Sequence, residues 1–310
     1  MSEFLYKVDI LSQNRSALFK ELNNKLYKNF IKVIVNDDKD VLTMFIDDVI
    51  SELCDNVDVH DLTCVDKLYI MLILRTYNVG PSITFVCETD EEDEQKKAIK
   101  INCNLDIIQI LQQLEQLEIT HRFEISNDNI QVFGSLPKGF FYETSDELIS
   151  DCVDRIIFND KEVSLLHLDL DQKTEVVNSL PSFVLPEVYK YIATQDDILK
   201  AVPLVVINTD KNIKTNKDIF VSLANGSIPE IIKLFFRVSL KDFYVNEYNL
   251  IKKFKFNYTH LQEITPAELN LYIDVIKEDM DREKKEQEKQ EESSNQERLP
   301  PPIQSGMGST

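Results

Sequence analysis

Glycine is scarce, with 6 in 310 residues, and neither G-x-x-x-x-G-K nor G-x-G-x-x-G occurs. Loops that cradle a phosphate on bare backbone N–H groups are therefore excluded. Tryptophan is absent. The longest apolar run, Leu68 to Leu74, covers seven residues, far short of the roughly 20 needed to cross a bilayer. The first residues, MSEFLYKVDI, lack the basic segment and apolar stretch of a signal peptide. Five cysteines at scattered positions do not make a disulfide framework, and a reducing cytoplasm is the expected place of synthesis. Basic residues are outnumbered, 34 against 54 acidic, for a formal net charge of -20. Nucleic acid and anionic membrane would both be repelled, so neither is expected as a partner. No G-x-S-x-G, H-E-x-x-H or Cys/His arrangement appears, and His60, His121, His167 and His260 lie far apart. The residues give no positive evidence for an enzyme, and no cofactor is implied.

What is present is core material: 43% hydrophobic residues, including 17 Phe and 11 Tyr. That suffices for one large or two ordinary domains. The expected fold class is α+β and helix-rich, with short antiparallel hairpins and a long charged C-terminal helix. The clearest local signal is the central stretch DKLYIMLILRTYNVGPSITFVCE. Thr63 and Asp66 have capping-box spacing, and two apolar stripes then leave little solvent face, so a buried helix is expected over about 64–78. Arg75 falls in its last turn, where a cation suits the helix dipole, with its guanidinium set against a carboxylate or helix-end carbonyls. Gly80 can adopt the left-handed C-terminal position and Pro81 stops the helix, giving all three residues structural roles.

Elsewhere, the pattern predicts a strand over Phe4–Ile10, helical periodicity through Leu18, Leu22, Leu26 and Phe30, and an amphipathic helix through Leu42–Leu53. Strands at 82–88 and 97–103 flank an acidic turn. A helix carrying Ile107, Ile110, Leu111 and Leu114 follows, then a hairpin of His121–Ser126 with Asn129–Phe133. Further on, a helix is expected over Asp146–Phe158 and another capped by Asp169 or Asp171. Pro181 and Pro186 are expected to break the chain before Val188–Ile192. Two strands bracket the turn NTDKNIKTNK, and two helices cover Ile228–Arg237 and Leu240–Phe254. Thr265-Pro266-Ala267-Glu268 starts a last helix, with Leu269, Tyr272, Ile273, Ile276 and Met280 as its anchoring stripe. Its charged continuation can be supported by the pairs Glu278–Arg282 and Asp281–Lys285. The resulting division is an N-terminal α+β domain at 1–135, a helix-rich domain at 136–263, a C-terminal helix at 264–293 and a disordered tail at 294–310.

Three constellations could carry chemistry. His167, Asp169 and Asp171 alternate and could offer oxygen and nitrogen ligands to a divalent ion, but the simpler reading is that the aspartates cap the following helix. Cys87 and Cys103 could meet across paired strands. Neither has a second cysteine two to four residues away, as a structural zinc site requires, so buried free thiols are expected. The acidic turn lacks the glycine and alternating oxygens of a calcium loop. No metal site is expected.

Three blocks carry a resemblance to a known family. They are LYKNFIKVIVNDDKDVLTMFIDDVISELC with LTCVDKLYIMLILRTYNVGPSITFVCE, then DCVDRIIFNDKEV leading to LDLDQKTEVVNSL, and ITPAELNLYIDVIKEDMDREKKE. In these the chain resembles the baseplate-hub and hub-assembly proteins of T4-like contractile-tailed phages. The resemblance implies a non-enzymatic protein that helps assemble the central hub, as a chaperone or as a retained subunit. It implies hub and tape-measure proteins as partners, in the host cytoplasm during assembly or in the tail baseplate of the virion, with a homo-oligomer left open. A competing reading from another class, resting on charge alone, is an acidic decoy for a host nucleic-acid-binding protein. The tail is read as a tether, its proline-stiffened segment Leu299, Pro300, Pro301, Pro302 and Ile303 docking into a partner's groove.

Overall fold

The computed structural model describes residues 5–36, 38–92, 98–127, 129–200, 203–208, 219–222, 228–236 and 238–296. The fold is α+β and helix-rich. It opens with an antiparallel hairpin of β1 (Leu5–Ile10) and β2 (Arg15–Lys20). Val8 and Ile10 on one strand and Ala17 and Phe19 on the other are buried at the period of two that a pleated strand imposes. Asn14 makes the turn at φ 49, a left-handed conformation that asparagine tolerates better than most residues. This corrects the helical reading of Leu18: that side chain is exposed on β2, and the helix α1 (Asn24–Asn36) starts six residues later. The spacing of Leu18 to Leu22 and Leu26 suits a helix, but Ala17 and Phe19 make the apolar contacts.

Helices α2 (Lys39–Leu53) and α3 (Cys64–Asn78) follow. Thr63 caps α3 as half of a capping box, its hydroxyl accepting from the Asp66 N–H while the Asp66 carboxylate accepts from the Thr63 N–H. Nearly all of α3 is buried, including Asp66 and Lys67, as its two apolar stripes require. Asp66 also accepts from Ser12 N at 2.9 Å, tying the β1–β2 turn to the helix start.

A four-stranded antiparallel sheet has the order β10-β9-β4-β3, with β3 Ser82–Glu92, β4 Ala98–Asp106, β9 Pro203–Asn208 and β10 Ile219–Ser222. Acidic residues expected in a turn thus continue β3 as far as Glu92, past a register irregularity. Asp106 ends β4 and caps α4 (Ile107–Gln116) through the Ile108 N–H at 2.9 Å.

A second four-stranded sheet runs β5-β6-β7-β8, from Arg122–Asn127, Ile130–Ser135, Val153–Phe158 and Lys161–Ser164. The helix expected over 146–158 is only α5, Ser145–Asp151. The β-branched residues Val153, Ile156 and Ile157 pair with β6 instead, where branched side chains fit the pleat. The β6–β7 ladder shifts register at Phe133/Gly134. There a Cβ on Gly134 would come within 2.2 Å of the Cys152 carbonyl oxygen and 2.3 Å of the Phe123 ring, so only glycine fits.

Helices α6 (Leu170–Asn178) and α7 (Val184–Lys200) cover this sheet's core. Pro186 does not interrupt α7: it sits in the first turn, where its missing N–H has no intrahelical partner to lose. The chain closes with α8 (Ile228–Phe235), α9 (Leu240–Phe254), α10 (Tyr258–Glu263) and α11 (Pro266–Gln296).

Two hydrophobic cores result. The smaller is built from β6, β7 and α5 to α7. The larger joins the β1–β2 hairpin and α1 to α4 with α8 to α11, so the last quarter of the described chain completes a core begun by the first. Helix α11 has 31 residues, which at a rise of about 1.5 Å each spans roughly 46 Å. Among its described side chains, those that hold it lie at the start: Leu269 is buried and Ile273 and Ile276 pack on the larger core. Tyr272 and Met280, expected on the anchoring stripe, are exposed, because the buried stripe passes through 269, 273 and 276 and leaves them at its margins. Arg282 pairs with Asp279 rather than Glu278.

Candidate partner surface

The C-terminal helices are fixed to the N-terminal elements by polar contacts inside the larger core. Arg75, at the end of α3, is buried. Its Nε donates to the Phe235 carbonyl at 2.9 Å, NH1 donates to the Gly80 carbonyl, and NH2 donates to the Ser82 carbonyl at 3.4 Å. The guanidinium thus gathers three backbone carbonyls, from α8, the loop after α3 and the start of β3. Burial pulls its pKa down. Gly80 has φ +131, a conformation that L side chains rarely adopt, and Pro81 accepts from Ile107 N through its carbonyl at 2.8 Å.

Lys28 of α1 meets Glu247 of α9, its Nζ 2.9 and 3.1 Å from the two carboxylate oxygens. Both side chains are only 6% exposed. Gln262 donates to the same carboxylate at 2.6 Å, and the ammonium lies 5.4 to 5.9 Å from the ring centres of Phe243, Tyr244 and Tyr258. Nearby, Asn24 bonds the Leu261 carbonyl through Nδ2 and the Ile264 carbonyl through its backbone N–H.

A second ionic cluster joins the two cores. Asp151, at the end of α5, accepts from Lys173 at 3.2 Å, from Tyr142, and from the backbone N–H groups of Lys138 and Gly139. The Lys138 ammonium pairs with Asp154 and donates to the Asp151 carbonyl. Burial alone would raise the Asp151 pKa, but Lys138 and Lys173 with the donated hydrogen bonds hold it far below the usual carboxylate range. Burial and the same carboxylate push Tyr142 well up. These groups border a cavity of about 210 Å³ that Asp47, His60 and Lys67 also line. Within this cluster Lys138 faces Asp154, Lys173 faces Asp151 and Lys67 faces Asp47, so the cluster acts as a joint.

The other sequence candidates are dispersed. Asp169 caps α6, accepting from Gln172 N at 2.8 Å, which engages one oxygen of the proposed ligand set. His167 meets the edge of His60, with ring centres 5.8 Å apart. Cys87 pairs with Ile101 and Cys103 with Phe85, so the two cysteines are diagonal across the ladder. Among the described residues no group of three His, Cys, Asp or Glu could hold a metal ion, and no helix is long and apolar enough to cross a membrane. Leu299, Pro300, Pro301, Pro302 and Ile303 lie outside the described residues.

What sequence reasoning missed is the outward face of the C-terminal helices. Tyr244, Val245 and Tyr248 of α9 and Tyr258 of α10 are exposed, as are Leu271 and Val275 of α11. The spacing 244, 245, 248 was readable as a helical stripe, but burial could not be assigned to it without knowing that Phe243, Glu247 and Leu250 face the core. Aromatic side chains displayed in this way are the kind enriched where proteins meet.

No curated protein and no solved structure matches the chain. The family profile described as T4 bacteriophage base plate protein matches residues 1–223, from the β1–β2 hairpin through β10. On that match the chain belongs to the T4 bacteriophage base plate protein family.

Proposed function

We propose that this base plate protein acts without catalysis in assembling the central hub of the baseplate, binding hub and tape-measure proteins as an assembly chaperone or as a retained subunit. Family membership over residues 1–223 carries the reading, and the exposed aromatic and aliphatic side chains of the C-terminal helices support it. The buried lysines Lys28, Lys67, Lys138 and Lys173 each face a carboxylate, which suits a rigid body that presents surfaces. Co-expression with hub and tape-measure proteins, followed by pull-down, tests the proposal. Association with one of them is the expected result, and no association with any tail component would overturn it. Mass spectrometry of purified particles separates the two roles, since a retained subunit is found in the virion and a chaperone is not.

In this proposal the segment Leu299 to Ile303 is a tether for a hub partner. Deleting residues 294–310 should leave the melting temperature unchanged and weaken partner binding. Equal affinity with and without them would make the segment an inert tail.

A further inference from the structure

Helix α9 shows solvent a basic, aromatic face on this acidic chain. Lys241, Tyr244, Val245, Tyr248 and Lys252 recur at i, i+3, i+4, i+7 and i+11, which is one side of a helix, and all five are exposed. Lys252 caps the face, its Nζ 2.5 Å from the Tyr248 hydroxyl and 5.0 Å from that ring's centre. Lys253 and Lys255 are also exposed alongside it. The acidic Glu247 is turned inward and neutralised by Lys28, leaving Asp242 as the one exposed carboxylate of the helix. Against a chain charge of -20, this is a basic, aromatic stripe.

A complementary stripe stands on α11. Leu271, Asp274, Val275 and Glu278 follow the same i, i+3, i+4, i+7 spacing and are exposed, on the side away from the docked Leu269 and Ile273. One face offers two tyrosines and a valine flanked by lysines. The other offers leucine and valine flanked by carboxylates. Neither face is covered by the described residues, and each supplies what the other needs: apolar area at the centre and opposite charge at the rim.

We propose that the occupant of the α9 face is a second copy of this chain, the outer side of α11 in one copy lying along α9 of the next. Used reciprocally by two copies, the contact closes a dimer; used in one direction, it builds a ring or a row. A single helix-on-helix contact is smaller than standard stable interfaces, so the association is weak and salt-sensitive.

Sedimentation of the full chain up to about 200 μM, the range in which a weak interface of this size is populated, reads the proposal directly. Wild type should self-associate in about 50 mM salt and less so in about 500 mM, where the Debye length is several Å shorter. Lys241→Glu with Lys252→Glu should weaken the association about tenfold or more, and Asp274→Lys with Glu278→Lys should do the same. Mixing these two charge-reversed proteins should restore it, because each then carries the complement of the other. Tyr248→Ala and Val275→Ala, which change no charge, should each lower the affinity as well. All substituted positions are exposed on helices, so circular dichroism and melting should match wild type. A wild type that stays monomeric, charge-reversed variants that associate as wild type does, or a mixture that stays monomeric would each overturn the proposal. The first result would leave the stripe to an acidic partner protein.

Discussion

Replacing Lys28 with methionine would leave the Glu247 carboxyl group in the larger core without its cation, with Gln262 still donating to it. At 2.9 Å and an effective dielectric near 20, the direct attraction between the two charges is about 6 kcal/mol. Burying two ions costs several kcal/mol each, so the intact pair is close to neutral for stability. The single substitution is different: the attraction disappears while the carboxylate's desolvation remains. The expected loss is about 3–5 kcal/mol, the range for breaking a buried pair from one side. Adding Glu247→Leu removes the stranded carboxyl group and replaces it with apolar volume, and should return the protein to within about 1 kcal/mol of wild type. Urea unfolding monitored by far-UV circular dichroism would measure all three proteins, with midpoints compared at equal slope. A methionine variant that loses less than about 1 kcal/mol, or a double variant no more stable than the single, would refute the picture of a desolvated pair.

Two further perturbations probe the other joints. Arg75→Ala strips the donor from the Phe235, Gly80 and Ser82 carbonyls and should cost about 2–4 kcal/mol, since hydrogen bonds from a charged group contribute about 1.5–3 kcal/mol each and water can satisfy only part of the loss; an unchanged melting temperature would show the contacts to be idle. Asp151 has a folded-state pKa far below the ordinary carboxylate value, so its stabilisation is complete above about pH 5 and is lost progressively as the pH falls through and below the unfolded carboxylate value of about 4. Asp151→Asn should therefore be less stable at pH 7 and should show a shallower decline in unfolding free energy between about pH 5 and pH 2, and parallel declines in the two proteins would contradict that role.

The sequence spoke clearly where structure is set locally. Thr63 and Asp66 announced the start of α3, and its end at Asn78 followed from Val79-Gly80-Pro81. It misled where one apolar residue satisfied two periodicities, as Leu18 does, or where a strand follows a short helix without a glycine or proline between them, as β7 follows α5. Arg75 was legible as a partly buried cation, but its acceptor on Phe235 lies 160 residues away, and no local pattern carries that information. The α9 face was hidden for the same reason. Its lysines and tyrosines are plain in the chain, yet which side of the helix faces the core depends on partners far away in sequence, such as Lys28, 219 residues before Glu247.

That separation has a consequence for synthesis. While the ribosome translates from Lys28 to Glu247, the lysine's carboxylate partner does not exist, and Phe235 and Phe236, which complete the larger core, are added only near the end of that interval. At about 5–20 residues per second the wait is roughly ten to forty-five seconds. The smaller core, whose buried residues run from Ile130 to Ile192 with Phe123 and Ile125 packed against them, can form on the nascent chain during that interval, while α1 to α4 remain open on one side. The middle of the chain can therefore settle first, while the beginning waits for the end.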